Sequence, residues 1–111
     1  MTKITFNVKG SSPQPYLVIF IKSSDNNLYA SCTCAAGKNG QYCKHRIKLM
    51  SGETSGIVST NLEDVYTIQA WLIGTDTEKA LIRMRTLEYE EIRIKNDLKL
   101  AKRDLAKFMQ Y

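Results

Sequence analysis

The order of apolar and polar residues in the first third of the chain is typical of β-strands. In ITFNV, near the N-terminus, Ile4, Phe6 and Val8 alternate with polar side chains, which is the pattern of a half-buried strand. A second stretch, rich in β-branched and aromatic residues, follows at 16–22, and LYASC at 28–32 is expected to pair back on it as the other arm of a hairpin. The intervening GSSPQP and SSDNN contain residues that favour turns. The pattern therefore predicts a three-stranded antiparallel meander.

The apolar spacing changes to three and four residues in the second half of the chain, which is typical of helices. CKHRIKLM predicts a short helix that ends at Gly52. Asn61 is a favourable N-cap for a second helix, and Gly74 suits its C-terminal cap because glycine adopts a left-handed backbone easily. The predicted apolar face of this helix consists of Leu62, Val65, Ile68 and Leu72, with Trp71 beside it.

A long third helix is predicted for the C-terminal part of the chain. Thr75 and Glu78 have the spacing of a capping box, and the sequence from Asp76 to about Gln110 contains neither glycine nor proline. Its apolar residues follow a heptad seam that is interrupted at Glu91. The candidate dimerisation residues at positions a and d of this seam are Met84, Leu87, Ile94, Leu98, Leu105 and Phe108.

Two arrangements of the long helix are compatible with this seam. In a parallel homodimer, three pairs between position g of one helix and position e of the other, which flank the seam, join opposite charges. These pairs are Arg83–Glu88, Glu90–Lys95 and Asp97–Lys102. In the other arrangement, one amphipathic helix packs on its own domain or against the 61–73 helix. Three heptads are near the minimum for a coiled coil, so the sequence leaves both arrangements open.

The composition is that of a soluble globular protein, with 43% hydrophobic and 24% charged residues in 111. No apolar run reaches the length of about 18 residues that a membrane span needs, and the N-terminus lacks the apolar core of a secretory signal. We therefore expect no membrane partner and an intracellular location, either cytoplasmic or with the nucleoid or nucleus. In a reduced compartment, clustered cysteines indicate metal binding rather than disulfides.

The strongest chemical signal is the confinement of every cysteine and the single histidine to residues 32–45. One residue separates Cys32 from Cys34, one separates Cys43 from His45, and eight lie between the two pairs. Three thiolates and an imidazole are a ligand set that zinc prefers. The exclusivity and the spacing together predict a metal site.

The backbone must turn at each ligand pair, because side chains two residues apart on a regular strand point to opposite faces. We expect a turn after Cys34 and another that leads into the short helix. Gly37 and Gly40 are expected to supply the positive-φ positions that fold the intervening eight-residue loop back.

Catalytic interpretations fit the cluster less well than a structural one. Cys43 and His45 are close enough for a thiolate–imidazolium pair, but no separate orienting group accompanies them. Four protein ligands also close the zinc tetrahedron and leave no position for water or substrate. We expect one structural zinc ion per chain, no enzymatic activity and no small-molecule substrate.

The arrangement Cys32-Thr-Cys34, eight residues, then Cys43-Lys-His45 resembles the SWIM-type zinc finger. FNVKGSS with YLVIFIK is similar to the paired strands before the cysteines of that family, and AAGKNGQYCKHRIKL is similar to its loop and short helix. The resemblance covers roughly residues 4–52. It implies a ββα unit closed by one zinc ion on these four ligands, and a role in binding DNA or other proteins.

Taken together, the patterns predict an α+β protein with a SWIM-like zinc-finger domain at 1–56 and a helical region at 57–111. Basic residues around the finger form a candidate nucleic-acid surface because they can contact phosphates. These residues are Lys38, Lys44, Arg46 and Lys48. The net charge of +5 slightly favours a nucleic acid, most simply DNA, as the partner. The alternative is an adaptor or inhibitor, such as a phage or mobile-element accessory protein, that binds a protein through the finger and the C-terminal helix.

Overall fold

The computed structural model describes residues 2–110 and confirms the α+β class. Three antiparallel strands form an open sheet in the order β1-β2-β3, and helices follow. The strands are β1 (Thr2–Val8), β2 (Tyr16–Lys22) and β3 (Leu28–Cys32). The helices within residues 2–110 are α1 (Ala35–Lys38), α2 (Lys44–Met50), α3 (Asp64–Leu72) and α4 (Asp76–Phe108).

The core lies on one face of the sheet, where the alternating apolar residues of β1 and β2 meet. Phe6 pairs with Val18 in the register, and Ile4 pairs with Phe20. The rings of Phe6 and Phe20 pack edge to face with centroids 6.1 Å apart. Apolar residues of the helices complete the buried set, namely Leu49 and Met50 of α2 with Val65, Ile68 and Leu72 of α3.

The segment between the two ligand pairs differs from the expected irregular loop. It begins with the one-turn helix α1, and Gly37 lies inside this helix rather than at a positive φ. Gly40 does have the expected positive φ, at 67°. The prediction for Gly37 was therefore wrong about its backbone conformation. Glycine is needed at this position for another reason: the backbone passes so close to Cys32 that a Cβ atom would overlap it.

The start of α3 also differs from the prediction. The helix begins at Asp64, and the Asn61 amide donates to Thr5 O at 2.9 Å and to an Asp64 carboxylate oxygen at 3.0 Å instead of capping the helix. Leu62 is 45% exposed, whereas Val65, Ile68 and Leu72 are buried as expected. The segment before α3 is thus fixed by its bonds to β1, which local helix propensity does not encode.

The chain divides into two compact units, Met1–Lys79 and Ala80–Tyr111. The first unit includes residues on both sides of the expected boundary at 56/57. Val8 forms an antiparallel bridge with Ile57, and Lys9 N–H donates to Gly56 O at 2.8 Å. The expected boundary at 56/57 stays a prediction. Within residues 2–110, no helix combines the length and the apolar character needed to cross a bilayer.

Candidate metal centre

Three different elements position the four ligands of the candidate metal centre. Cys32 ends β3, Cys34 is the N-cap of α1, and Cys43 immediately precedes α2. His45 lies in the first turn of α2. The change from strand to one-turn helix after Cys32 supplies the turn that the Cys-x-Cys spacing requires, because it brings Cys34 back towards Cys32.

The donor atoms of these ligands converge to within 4.8 Å of one another. The sulfurs of Cys34 and Cys43 are 3.4 Å apart, and His45 Nδ1 lies 3.6 Å from Cys43 Sγ and 3.8 Å from Cys32 Sγ. A zinc tetrahedron has edges of about 3.8 Å between sulfurs and about 3.6 Å between sulfur and nitrogen, from bond lengths of about 2.3 and 2.0–2.1 Å. The donor set and its spacing therefore fit one zinc ion.

Backbone N–H groups point at two of the sulfurs. Cys34 N–H donates to Cys32 Sγ at 3.5 Å, and Gly37 N–H donates to Cys34 Sγ at 3.3 Å. The second bond is the N-cap interaction of α1. The short helix thus has a function in the site, since it directs an amide at a ligand sulfur in the way that second-shell groups orient metal ligands.

Burial and hydrogen bonds shift the pKa values of Cys32, Cys43 and His45. Burial raises the pKa of the Cys32 thiol to about 12. At Cys43 burial also acts to raise the pKa, but backbone N–H donation from Arg46 and the hydrogen bonds with the other thiols outweigh it, so that the pKa is lowered. The pKa of His45 is lowered, first by burial and then by the charges of Lys44 and Lys48. A metal ion binds the neutral imidazole together with deprotonated thiolates, so the low pKa of His45 favours the ligand form of this residue.

Tyr16 and Gly10 support His45 from the side of the strands. The Tyr16 ring packs against the imidazole with centroids 4.9 Å apart. A Cβ on Gly10 would overlap the Tyr16 ring and lie 3.3 Å from His45 Nε2. The sequence analysis missed both residues. Their only local signal is the GSSPQP interruption between strands, because the contact joins positions that are far apart in the chain.

Gly37 fits where no larger residue would. A Cβ at this position would overlap the carbonyl oxygen of Cys32 and lie 2.8 Å from Cys32 Cβ. The absence of a side chain therefore lets α1 pack directly on the end of β3. This close packing places the Gly37 amide against Cys34 Sγ.

The four basic residues expected to contact phosphates have different environments. Lys38, Lys44 and Lys48 are exposed. The Arg46 guanidinium instead donates to Ala30 O at 3.2 Å and to Gln41 O at 2.6 Å, which ties α2 to β3 and to the preceding loop. Arg46 thus has a structural role within the finger.

A cavity of about 270 Å³ lies beside His45, between α2, the end of β1 and the 53–57 segment. Lys44 and Lys48 line this cavity together with Lys9, which the sequence analysis did not connect with the finger. We call it the lysine cavity. Lys38 lies outside its walls.

The six candidate dimerisation residues lie along α4, none of whose residues is buried. Met84 is partly buried, while Leu87, Ile94, Leu98, Leu105 and Phe108 are 52–84% exposed. Other apolar residues of the helix are comparably exposed, including Ile92 at 61% and Leu100 at 46%. Exposure alone therefore does not distinguish the seam from the remaining surface of the helix.

Residues 16–51 match the SWIM zinc finger family model. The matched segment contains β2, β3, α1 and α2 with all four ligands. No curated protein and no solved structure shows significant similarity to the chain. Together with the clustered donor atoms, the match supports a structural zinc ion held by these four residues.

Proposed function

We propose, from the SWIM zinc finger that residues 16–51 form, that this protein is a non-enzymatic nucleic-acid-binding protein. The observation that carries the proposal is the row of exposed lysines beside the zinc ligands. Lys44 and Lys48 lie one helical turn apart on α2, and Lys9 joins them at the wall of the same cavity. Exposed lysines close together are the groups that neutralise nucleic-acid phosphates and release counterions.

The closed ligand set supports a structural rather than a catalytic zinc. Three sulfurs and one nitrogen occupy the four positions of a tetrahedral ion, so a substrate or a reactive water would find no free position. The zinc ion would then act by holding α2 against β3, which fixes the direction in which Lys44 and Lys48 extend.

Charge reversal of the two helical lysines tests the proposal. We expect Lys44→Glu/Lys48→Glu to weaken binding to nucleic acid by at least about 100-fold at low salt, because two phosphate contacts become repulsive. The measurement is a titration of labelled DNA, duplex and single-stranded, at several salt concentrations. Binding by the unmodified protein should fall steeply as the salt concentration rises.

The matched control is Lys3→Glu/Lys79→Glu, which changes the net charge equally at two exposed positions away from the lysine cavity. This variant should retain most of the affinity. Equal losses in the two variants would show that only the net charge matters. Absence of nucleic-acid binding at low salt would refute the proposed function.

A parallel homodimer through α4 would double the number of lysines available to one nucleic acid, and this increases affinity through avidity. The opposite charges of all three g-to-e′ pairs support a second copy of the chain as the partner of the seam. Two of these residues also pair within their own helix, Glu88 with Arg85 at 3.8 Å and Lys95 with Glu91 at 2.9 Å. Such exposed pairs are weak and exchange easily.

Binding of a protein by the finger and α4 is the second candidate function, and the exposed apolar residues of α4 favour it. Such a complex would tolerate salt and would persist in the Lys44→Glu/Lys48→Glu variant. It would fail when Leu98 and Leu105 become polar. The lysine variant and the leucine variant together therefore separate the two candidate functions.

A further inference from the structure

The lysine cavity combines charged and apolar walls. Lys9, Lys44 and Lys48 supply three positive charges, and the Glu53 carboxylate lines the same space. The apolar part of the wall consists of Val8, Leu49 and Ile57. Its volume of about 270 Å³ is close to the lower end of small-molecule sites, at about 300 Å³. A ligand that fits is small, with an apolar face and an attached anion.

Backbone hydrogen bonds connect the walls of this cavity. Lys9 N–H donates to Gly56 O and Val58 N–H donates to Asn7 O, both at 2.8 Å, so the 53–57 segment is held on β1. Glu53 N–H donates to Lys48 O at 3.0 Å and holds the same segment on α2. A cavity whose walls are already joined costs little ordering entropy when a ligand binds.

A second concave surface adjoins the lysine cavity, and we call it the tyrosine depression. It has a volume of about 350 Å³, and Tyr16 and Tyr42 line it together with the metal ligands Cys34, Cys43 and His45, so it lies directly against the candidate metal centre. Both concavities include Ser11, Lys44 and His45 in their walls, so Lys44 stands where they meet. Tyr42 is 62% exposed, which leaves its ring accessible for stacking. Aromatic rings next to a basic groove are the usual means by which proteins bind unpaired bases.

We propose that these two concavities bind single-stranded nucleic acid, with one unpaired nucleotide in the lysine cavity and the next base against Tyr42. The phosphate between the two bases then lies at Lys44, and Glu53 accepts a hydrogen bond from a base N–H group. The inference rests on the proposed function and adds the class of strand. In a duplex the bases are stacked and paired, so a base could enter the cavity only after the helix is opened.

A comparison of single strands with bases, a single strand without bases and a duplex tests this inference. The full-length zinc-loaded protein is titrated with labelled oligothymidine, oligouridine, an abasic strand of equal length and a duplex of equal length. We expect the abasic strand and the duplex to bind at least about tenfold more weakly than the single strand, because they lose both the base in the lysine cavity and the base stacked on Tyr42. Of oligothymidine and oligouridine, the tighter ligand identifies DNA or RNA as the source of the strand.

Substitutions that leave the charge unchanged separate base binding from phosphate binding. Ser55→Phe places a large side chain in the wall of the lysine cavity and should reduce single-strand affinity, but not to the level of the abasic strand, because the base on Tyr42 can still stack. Tyr42→Ala should weaken binding of the single strand but not of the abasic strand. The control is Tyr66→Ala, which removes a ring of similar exposure, 69%, from α3. Zinc content and the amide spectrum verify that each variant is folded.

The unmodified protein provides a measurement that does not depend on the folding of variants. Titration of the isotope-labelled chain with thymidine monophosphate should shift amide resonances of residues 8–11, 44–49 and 53–57. Shifts confined to other residues would overturn the inference.

Equal affinity for the single strand, the abasic strand and the duplex would overturn the inference and leave nucleic-acid binding standing. Failure of all three to bind at low salt would overturn the proposed function as well. Binding of polyglutamate instead of oligothymidine, with sensitivity to Ser55→Phe, would assign the cavity to an acidic peptide and contradict the inference.

Discussion

The two units of this chain obtain their structure in different ways. Met1–Lys79 contains the sheet, the buried aromatic pair and the zinc ligands, whose donor atoms come together from three elements. Ala80–Tyr111 consists mainly of the long part of α4, where every residue is exposed or partly exposed. The first unit depends on contacts between distant residues, whereas local hydrogen bonds alone define the helix. The two units should therefore respond differently to loss of the metal ion, to a methyl group added beside the metal ligands and to loss of apolar side chains on α4.

Removal of zinc should have the largest effect and should affect only one unit. Cys34→Ser, or treatment with a chelator, is expected to unfold residues 28–50, because structural zinc contributes on the order of 10 kcal/mol to folding. That is comparable to the whole free energy of unfolding of a typical domain, about 5–15 kcal/mol, so a domain with so small a core should not stay folded without it. The amide spectrum of the first unit should collapse while a helical circular dichroism signal remains.

The control for this prediction is Ser31→Ala at the exposed neighbouring position of β3, which should retain both zinc and spectrum. A metal-free Cys34→Ser protein with well-dispersed resonances for residues 28–50 would contradict the structural role of the ion. Elemental analysis of both proteins measures the metal directly.

Gly37→Ala should have an intermediate effect. The added methyl group would overlap the Cys32 backbone, and relief of such overpacking typically costs about 1–3 kcal/mol of the free energy of unfolding. The displacement of α1 that relieves this overlap also moves the Gly37 amide away from Cys34 Sγ, so zinc affinity should fall. Chemical denaturation together with competition against a zinc chelator measures both quantities.

Gly56→Ala is the matched control, because a Cβ there would lie 3.4 Å from Val8 Cγ1, an ordinary contact distance. This variant should be close to neutral or stabilised by about 0.4–1 kcal/mol through the unfolded state. Equal destabilisation by both substitutions would show that the contact with Cys32 is not the cause.

Polar substitution in the seam of α4 should have the smallest effect on the first unit, since it changes only association. We expect Leu98→Ser/Leu105→Ser to convert a dimer into a monomer while the zinc content stays unchanged. Leu100→Ser is the control, because Leu100 is 46% exposed but lies outside positions a and d. Light scattering gives the mass of each variant, and a monomeric unmodified protein at micromolar concentration would exclude the dimer.

Several elements could be predicted from the sequence because their signals are local. The alternation of Ile4, Phe6 and Val8 and the apolar run at 16–22 predicted β1 and β2, and the structure confirms both. Thr75 caps α4 as expected, since Glu78 N–H donates to its hydroxyl at 3.1 Å. In a capping box the Glu78 carboxylate would accept from the backbone N–H of Thr75. Here it accepts from Gly74 N–H instead, at 3.0 Å.

The errors occurred where a contact with a strand decides the conformation of a residue outside that strand. Asn61 has the side chain of an N-cap, but β1 offers the Thr5 carbonyl to its amide, and α3 begins at Asp64 instead. Gly37 was expected at a positive φ, and the actual constraint is the Cys32 backbone. In each case a tertiary contact outweighs a local preference that is worth only about 1 kcal/mol.

The sequence by itself determined the zinc ligands, the strands and the long helix, because ligand type, alternation and the absence of glycine and proline are properties of neighbouring residues. Only the tertiary structure brought Lys9 to Lys44 and Lys48, placed Tyr16 on His45 and gave Arg46 its bonds within the finger. These contacts join residues that are far apart in the chain. The packing of β1 and the 53–57 segment on α2 brings the three lysines together, and the packing of α2 against β2 and β3 makes the other two contacts.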